Sequence, residues 1–180
     1  MSQTGHMHVQ LKFVLACPPD AAWRAIRSPS VFADVSYPLL EFEPLGDHGF
    51  PEEWGEGSHP VRARALFSIL DAGTQDIDIS LSERGAVRIL EDHGGPLSGP
   101  LRIVTRWRHR MAVAAGPNPG TTLFRDRLEF SAGPHAPGVA GAVGVLAMAR
   151  TTADAARPRI RAALQAPLTR AAARSAAATG

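Results

Sequence analysis

Cysteine is almost missing from this chain: Cys17 is the one thiol in 180 residues. That excludes an intramolecular disulfide and any cysteine-based metal cluster. Long apolar runs are missing too. A bilayer span needs roughly 18 consecutive apolar residues, and the stretch from Val139 to Met148 is short and diluted by Gly and Ala. The opening Met-Ser-Gln-Thr-Gly-His-Met-His lacks the basic and then apolar segments of a secretory signal. Lysine is as scarce as cysteine, with Lys12 the sole example and arginine supplying every other fixed positive charge. The 19 basic residues are nearly balanced by 17 acidic ones, so no nucleic-acid partner is expected. There is no internal repeat, no Ser/Gly linker, no Gly-rich phosphate loop, no Gly-x-Ser-x-Gly elbow and no His-Glu-x-x-His motif. These absences point to a cytoplasmic protein with no stable membrane insertion, no metal and no cofactor.

What is present suits one α+β domain. A hydrophobic content of 44% supports a real core, and 180 residues divided between two cores would leave each half marginal. From His8 to Ala16, Val9, Leu11, Phe13 and Leu15 alternate with polar residues, the pattern of a half-buried strand. Pro18-Pro19-Asp20 opens a helix that carries Ala22, Trp23 and Ile26 on one side. Ser28-Pro29 closes it, and Ser30 to Val35 forms a second short helix. Strands are expected at 39–45, 61–70, 76–82, 86–93, 101–114 and 121–131, with turns at Asp71-Ala72-Gly73-Thr74 and Arg84-Gly85. Gly116-Pro117-Asn118-Pro119-Gly120 is the strongest hairpin signal. After Pro137-Gly138 the composition turns to Ala and Arg, predicting a long helix over 139–164 with a kink at Pro158. Residues 165–180 have no apolar periodicity and read as a disordered tail. Residues 1–7 read as a flexible N-terminus or a cloning scar, leaving 8–164 as the domain.

Several strings carry a family likeness. Pro18-Pro19-Asp20-Ala21-Ala22-Trp23 with Ser28-Pro29, then Trp54-Gly55-Glu56-Gly57, then Trp107-Arg108-His109-Arg110-Met111 and Gly120-Thr121-Thr122-Leu123-Phe124-Arg125-Asp126-Arg127-Leu128-Glu129-Phe130 resemble the START/Bet v 1-like (SRPBCC) superfamily. That superfamily is also known as the polyketide cyclase/dehydrase and lipid-transport family, and the likeness spans about residues 8 to 164. It implies the helix-grip fold, a curved antiparallel sheet of about seven strands around a long C-terminal helix with two short helices after the first strand. It also implies a cavity between sheet and helix. It does not imply one activity, because a fold can host many.

Alternation assigns the cavity side. Ile103, Thr105, Trp107, His109, Met111 and Val113 share one face of their strand; Thr122, Phe124, Asp126, Leu128 and Phe130 share one face of the next. Phe13, Phe67, Trp107, Met111, Phe124 and Phe130 are expected to line or floor an apolar cavity, with Trp54 near its mouth. His109 and Asp126 are the two polar residues among these inward neighbours. A hairpin centred between Pro117 and Asn118 sets them directly opposite, and Trp107 opposite Leu128. They read first as a satisfied structural pair and second as a polar anchor or acid/base pair. Glu91, Asp92 and His93 cannot all converge on a metal, because neighbours on a strand point to opposite faces; Glu91 and His93 are expected inward. Outward, Arg106, Arg108, Arg110, Arg125 and Arg127 form a basic face, a solvated surface or the seat of an anionic partner. The same register sets Arg108 against Arg127 and Arg110 against Arg125. Three functions follow in order: a binder or carrier of an apolar lipid, polyketide or isoprenoid; an aromatase/cyclase-type enzyme using His109 and Asp126; and an interaction module with a basic face. A homodimer is left open.

Overall fold

The computed structural model describes residues 5–37, 40–65 and 67–132. Their order is β1 (Gly5–Leu15), α1 (Pro19–Ile26), α2 (Pro29–Ser36), β2 (Leu40–Pro44), β3 (Gly57–Ala65), β4 (Leu70–Arg84), β5 (Val87–Asp92), β6 (Gly95–Pro96), β7 (Val104–Ala115) and β8 (Thr122–Ala132). The strands form one curved antiparallel sheet in the order β1-β8-β7-β5-β4-β3-β2, with the two-residue β6 paired to β4. The first strand starts at Gly5, earlier than the alternation indicates, because Gly5, His6 and Met7 continue the ladder against Ala132, Ser131 and Phe130. The expected helix over 139–164 and tail over 165–180 lie outside the described residues.

Local chemistry explains the helices. Pro19 suits the first turn of α1, and Asp20 sits where the helix dipole is positive. Arg27 ends it, and Ser28 caps α2 by accepting the Val31 amide at 3.5 Å. Ala21, Ala22, Ala25 and Ile26 bury the inner side of α1, small residues that let it lie close to β7 and β8. Trp23 is half-buried, with the Arg88 guanidinium 5.5 Å from its ring centre. Leu15, Val113 and Phe124 from the sheet, with Val61 and Ala63 from β3, complete the core beneath the helices. Thr122 is fully buried and donates to the Cys17 carbonyl at 2.7 Å, tying β8 to the corner between β1 and α1.

Four expectations change. Asp71 to Thr74 is not a turn but part of β4, and the chain reverses earlier, in the turn at 67–69. Phe67 and Ser68 there adopt positive φ of 58° and 63°, as the two central positions of a tight right-twisting hairpin require. Second, a short 3₁₀ turn over Pro100–Ile103 precedes β7, and a bulge between Val104 and Arg106 breaks the alternation. Val104 is therefore buried, and Thr105 is exposed and bonded to the Ser131 carbonyl at 3.3 Å. Third, β5 has the opposite phase from the one expected: Leu90 and Asp92 face in with Met111 and His109, while Glu91 faces out. Fourth, the β7–β8 loop closes two residues' worth later. Gly116 and Thr121 bond at 2.8 Å, so Ala115 faces Thr122 and the register advances by one repeat.

A shift of two positions keeps every side chain on its face. Leu128 now faces His109, Asp126 faces Met111 and Phe130 faces Trp107. On the other surface Glu129 faces Arg108, Arg127 faces Arg110 and Ala112 faces Arg125, so one of the two expected like-charge oppositions becomes an opposite-charge one.

Candidate functional site

The helices cover the inner face of the sheet near Leu15, Val113 and Phe124. Beyond that end, the strands carry a row in which Val9, Leu128, His109, Asp92 and Ile79 are successive register partners across β1, β8, β7, β5 and β4. Phe13 and Phe124 stack at 5.1 Å between ring centres, and Met111 is half-buried against the core. Phe124 and Phe130 are fully buried. This wall is apolar on both sides of a short polar strip.

The strip is two hydrogen-bonded pairs side by side, His109 with Asp126 across β7 and β8 and Trp107 with Asp92 across β7 and β5. His109 Nε2 lies 2.7 Å from Asp126 Oδ1, and since an ionised carboxylate can only accept, Nε2 carries the proton. The pair meets diagonally, not face to face, because the register is one repeat later than expected. The two side chains keep 19% and 17% of their exposure, so the pair stays within reach of a molecule on this face. Asp92 is the register partner of His109 on the other side. It is more deeply placed, and both its oxygens are engaged. Oδ1 accepts the amides of Asp78 at 3.0 Å and Gly94 at 2.9 Å, and Oδ2 accepts Trp107 Nε1 at 2.9 Å.

Electrostatics follow from this placement. Burial alone would lower the pKa of His109, but the Asp126 carboxylate, its hydrogen bond and the nearby Asp92 outweigh it, and the value rises above the ordinary histidine range. For Asp92 burial dominates and pushes the carboxyl up. The donors from Gly94, Trp107 and Asp78 and the charge of His109 offset only part of that. The imidazolium is therefore held between two carboxylates, one at hydrogen-bond distance and one locked in the wall.

The expected site residues divide. Phe13, Trp107, His109, Met111, Phe124, Asp126 and Phe130 come together on the inner face. Trp54 does not join them. It is 3% exposed and packs between Phe32 and Phe50, with rings edge-on at 6.1 and 5.5 Å, and its amide donates to the Arg27 carbonyl at 2.6 Å. Its place is under the helices. Phe67 does not join them either; it lies in the β3–β4 turn, 64% exposed, with its ring edge-on to Tyr37. Asp92 is the member that the sequence reading turned the wrong way.

On the outer face, Glu91 gathers two arginines and a histidine: Arg108 Nη2 at 3.1 Å, Arg110 Nε at 3.1 Å and His93 Nε2 at 3.2 Å. Glu129 pairs with Arg127 at 2.6 Å. Among the described residues no cluster of His, Cys, Asp and Glu could hold a metal ion, and no helix is long and apolar enough to cross a membrane.

The sheet order and the helix pair define the Bet v 1-like fold, and the structural neighbours are Bet v 1-like (SRPBCC) proteins. They include the Zhui aromatase/cyclase from Streptomyces, with a TM-score of 0.58 at 18% identity, covering 92% of this chain and 95% of that one. The allergen-type protein Ara h 8.0201 superposes with a TM-score of 0.55 at 10% identity, covering 90% and 99%. A norcoclaurine synthase point mutant from Thalictrum flavum, in complex with a transition-state analogue, gives 0.52 at 14% identity, covering 87% and 97%. No protein-family model and no curated protein matches the chain. At these identities the likeness establishes the fold alone.

Proposed function

We propose that this protein binds an apolar small molecule of the lipid, polyketide or isoprenoid class against the inner face of its sheet, with His109 and Asp126 as the polar end of the site. The observation that carries this reading is the wall itself. Val9, Met111, Leu128 and Phe130 flank a polar strip whose half-buried members are a hydrogen-bonded imidazole and carboxylate. An apolar body would lie on the wall, and one hydroxyl or carbonyl would meet the pair, the division of labour usual in small-molecule sites. Fold neighbours that act on or bind small molecules, an aromatase/cyclase and a norcoclaurine synthase with a bound analogue among them, support the reading. Native mass spectrometry of the purified protein tests it. A co-purifying apolar compound, lost when Leu128 is replaced by Trp, is the expected result; a ligand-free spectrum together with no uptake of added lipid or polyketide argues against it.

A second reading, catalysis of the aromatase/cyclase type, is favoured by the 2.7 Å His109–Asp126 contact and by Asp92 behind it. His109, held as an imidazolium, would give a proton to a carbonyl oxygen of a poly-β-keto chain on the wall and, once neutral, take one back from a methylene of the same chain, while Asp126 balances the charge that returns. In that case His109→Gln and Asp126→Asn each abolish turnover and leave binding intact. If the pair only anchors or stabilises, His109→Gln lowers stability, and no turnover is there to lose.

A further inference from the structure

The outer face of the same hairpin gathers charge that the inner site does not use. Six of the chain's 19 lysine and arginine residues stand there: Lys12 on β1, Arg125 and Arg127 on β8, and Arg106, Arg108 and Arg110 on β7. Two adjacent rows set like charges opposite each other, Lys12 against Arg125 and Arg110 against Arg127. Such facing pairs are unfavourable in a sheet unless something neutralises them. Two glutamates, Glu129 on β8 and Glu91 on neighbouring β5, do part of that. Glu91 takes Arg108 and Arg110 from the β5 side, and Glu129 takes Arg127.

The depth of these groups matters. The glutamate side chains are 16% and 20% exposed, whereas Arg108, Arg110 and Arg127 are 47%, 34% and 52% exposed. The carboxylates thus lie deeper than the guanidinium groups, and each guanidinium meets its carboxylate through one nitrogen, Nη2 of Arg108, Nε of Arg110 and Nη2 of Arg127. Arg110 is held through Nε, which leaves both of its Nη groups. Between Arg108, Arg110, Arg127 and Glu129 lies a shallow cleft of about 170 Å³. Three converging guanidinium forks offer more donors than one planar carboxylate can accept. They suit a tetrahedral oxyanion with several acceptor oxygens and more than one negative charge.

We propose that this cleft binds a phosphate-type oxyanion, borne by a small molecule or a lipid headgroup, through Arg108, Arg110 and Arg127. The site lies on the opposite face from His109 and is independent of the apolar-ligand reading. The test is titration of the full chain with inorganic phosphate, followed by calorimetry or by amide shifts, beside flotation with phosphatidylcholine vesicles with and without phosphatidic acid. Saturable phosphate binding is expected, weakened about tenfold or more in Arg110→Gln/Arg127→Gln and unchanged in Arg62→Gln, a similar exposed cation on distant β3. Glu129→Gln should tighten binding, because it frees Arg127. Phosphatidic acid vesicles that bind and are released by phosphate identify a headgroup as the source; vesicles that fail to bind identify a small molecule. Phosphate that does not saturate, saturation that survives the double substitution, or vesicle binding without phosphate saturation overturns the proposal.

Discussion

Trp107 donates its indole N–H to Asp92, and Asp92 faces His109 across β5 and β7. Trp107→Phe keeps most of the ring and removes that donor, so a buried carboxylate loses a charge-assisted bond. A cost of about 1.5–3 kcal/mol is expected in chemical denaturation; a change within experimental error would mean that Asp92 does not depend on the indole. The strip also ties stability to pH. His109 binds its proton more readily folded than at its ordinary value of 6.5. Its contribution is therefore fully present below 6.5 and is lost as pH rises through the raised folded value. Asp92 acts in the same direction. Its folded pKa is raised above 3.8, so holding it ionised costs stability above the raised value, and the cost is relieved as pH falls through that window. The denaturation midpoint should then decline as pH rises from mildly acidic through neutral. Asp126→Asn should flatten the part of the decline above 6.5; an unaltered profile would remove the pair from this account.

At the scale of elements, the polar strip is anchored by the segment after β5. The Gly94 amide bonds Asp92, and a Cβ on Gly94 would press into the Asp76 carbonyl and the Asp78 amide of β4. Gly94→Ala should cost about 2–3 kcal/mol by forcing β6 away from β4 and should loosen Asp92 as well, seen as a shifted pH profile beside a lowered midpoint. The same segment explains what could be read in advance. His109 and Asp126 were legible because β7 and β8 alternate cleanly around them, and a register error of two leaves the face unchanged. Asp92 was not, because Val87, Ile89 and Leu90 leave β5 without a clear period, and Ile89 and Leu90 are both buried. A choice of phase there differs by one residue and turns Glu91 and Asp92 around together. Phe67 was misplaced because Asp71 to Thr74 carries the stronger turn composition, whereas the actual reversal uses non-glycine residues at positive φ. The bulge at Thr105 has no composition signal at all.

For the whole molecule, the helices seal one end of the sheet and the register carries the polar strip across the other. The succession of strands and helices and the inward hairpin face follow from alternation and turn chemistry; the corrections concern where strands begin and turn, the bulge at the start of β7, the β7–β8 register and which way β5 faces. The central claim is that the inner face beyond the helices receives an apolar molecule. It is tested most directly by fluorescence titration with N-phenyl-1-naphthylamine, an uncharged apolar reporter, on the native chain and on Leu128→Trp and Met111→Trp. These positions flank His109 and Asp126 on the inner face, and an indole there fills the space a ligand would take. Saturable emission from the native chain, lost or sharply weakened in both variants while their denaturation stays cooperative, is the predicted result. Undiminished saturable binding in both would put the apolar site elsewhere and contradict the account.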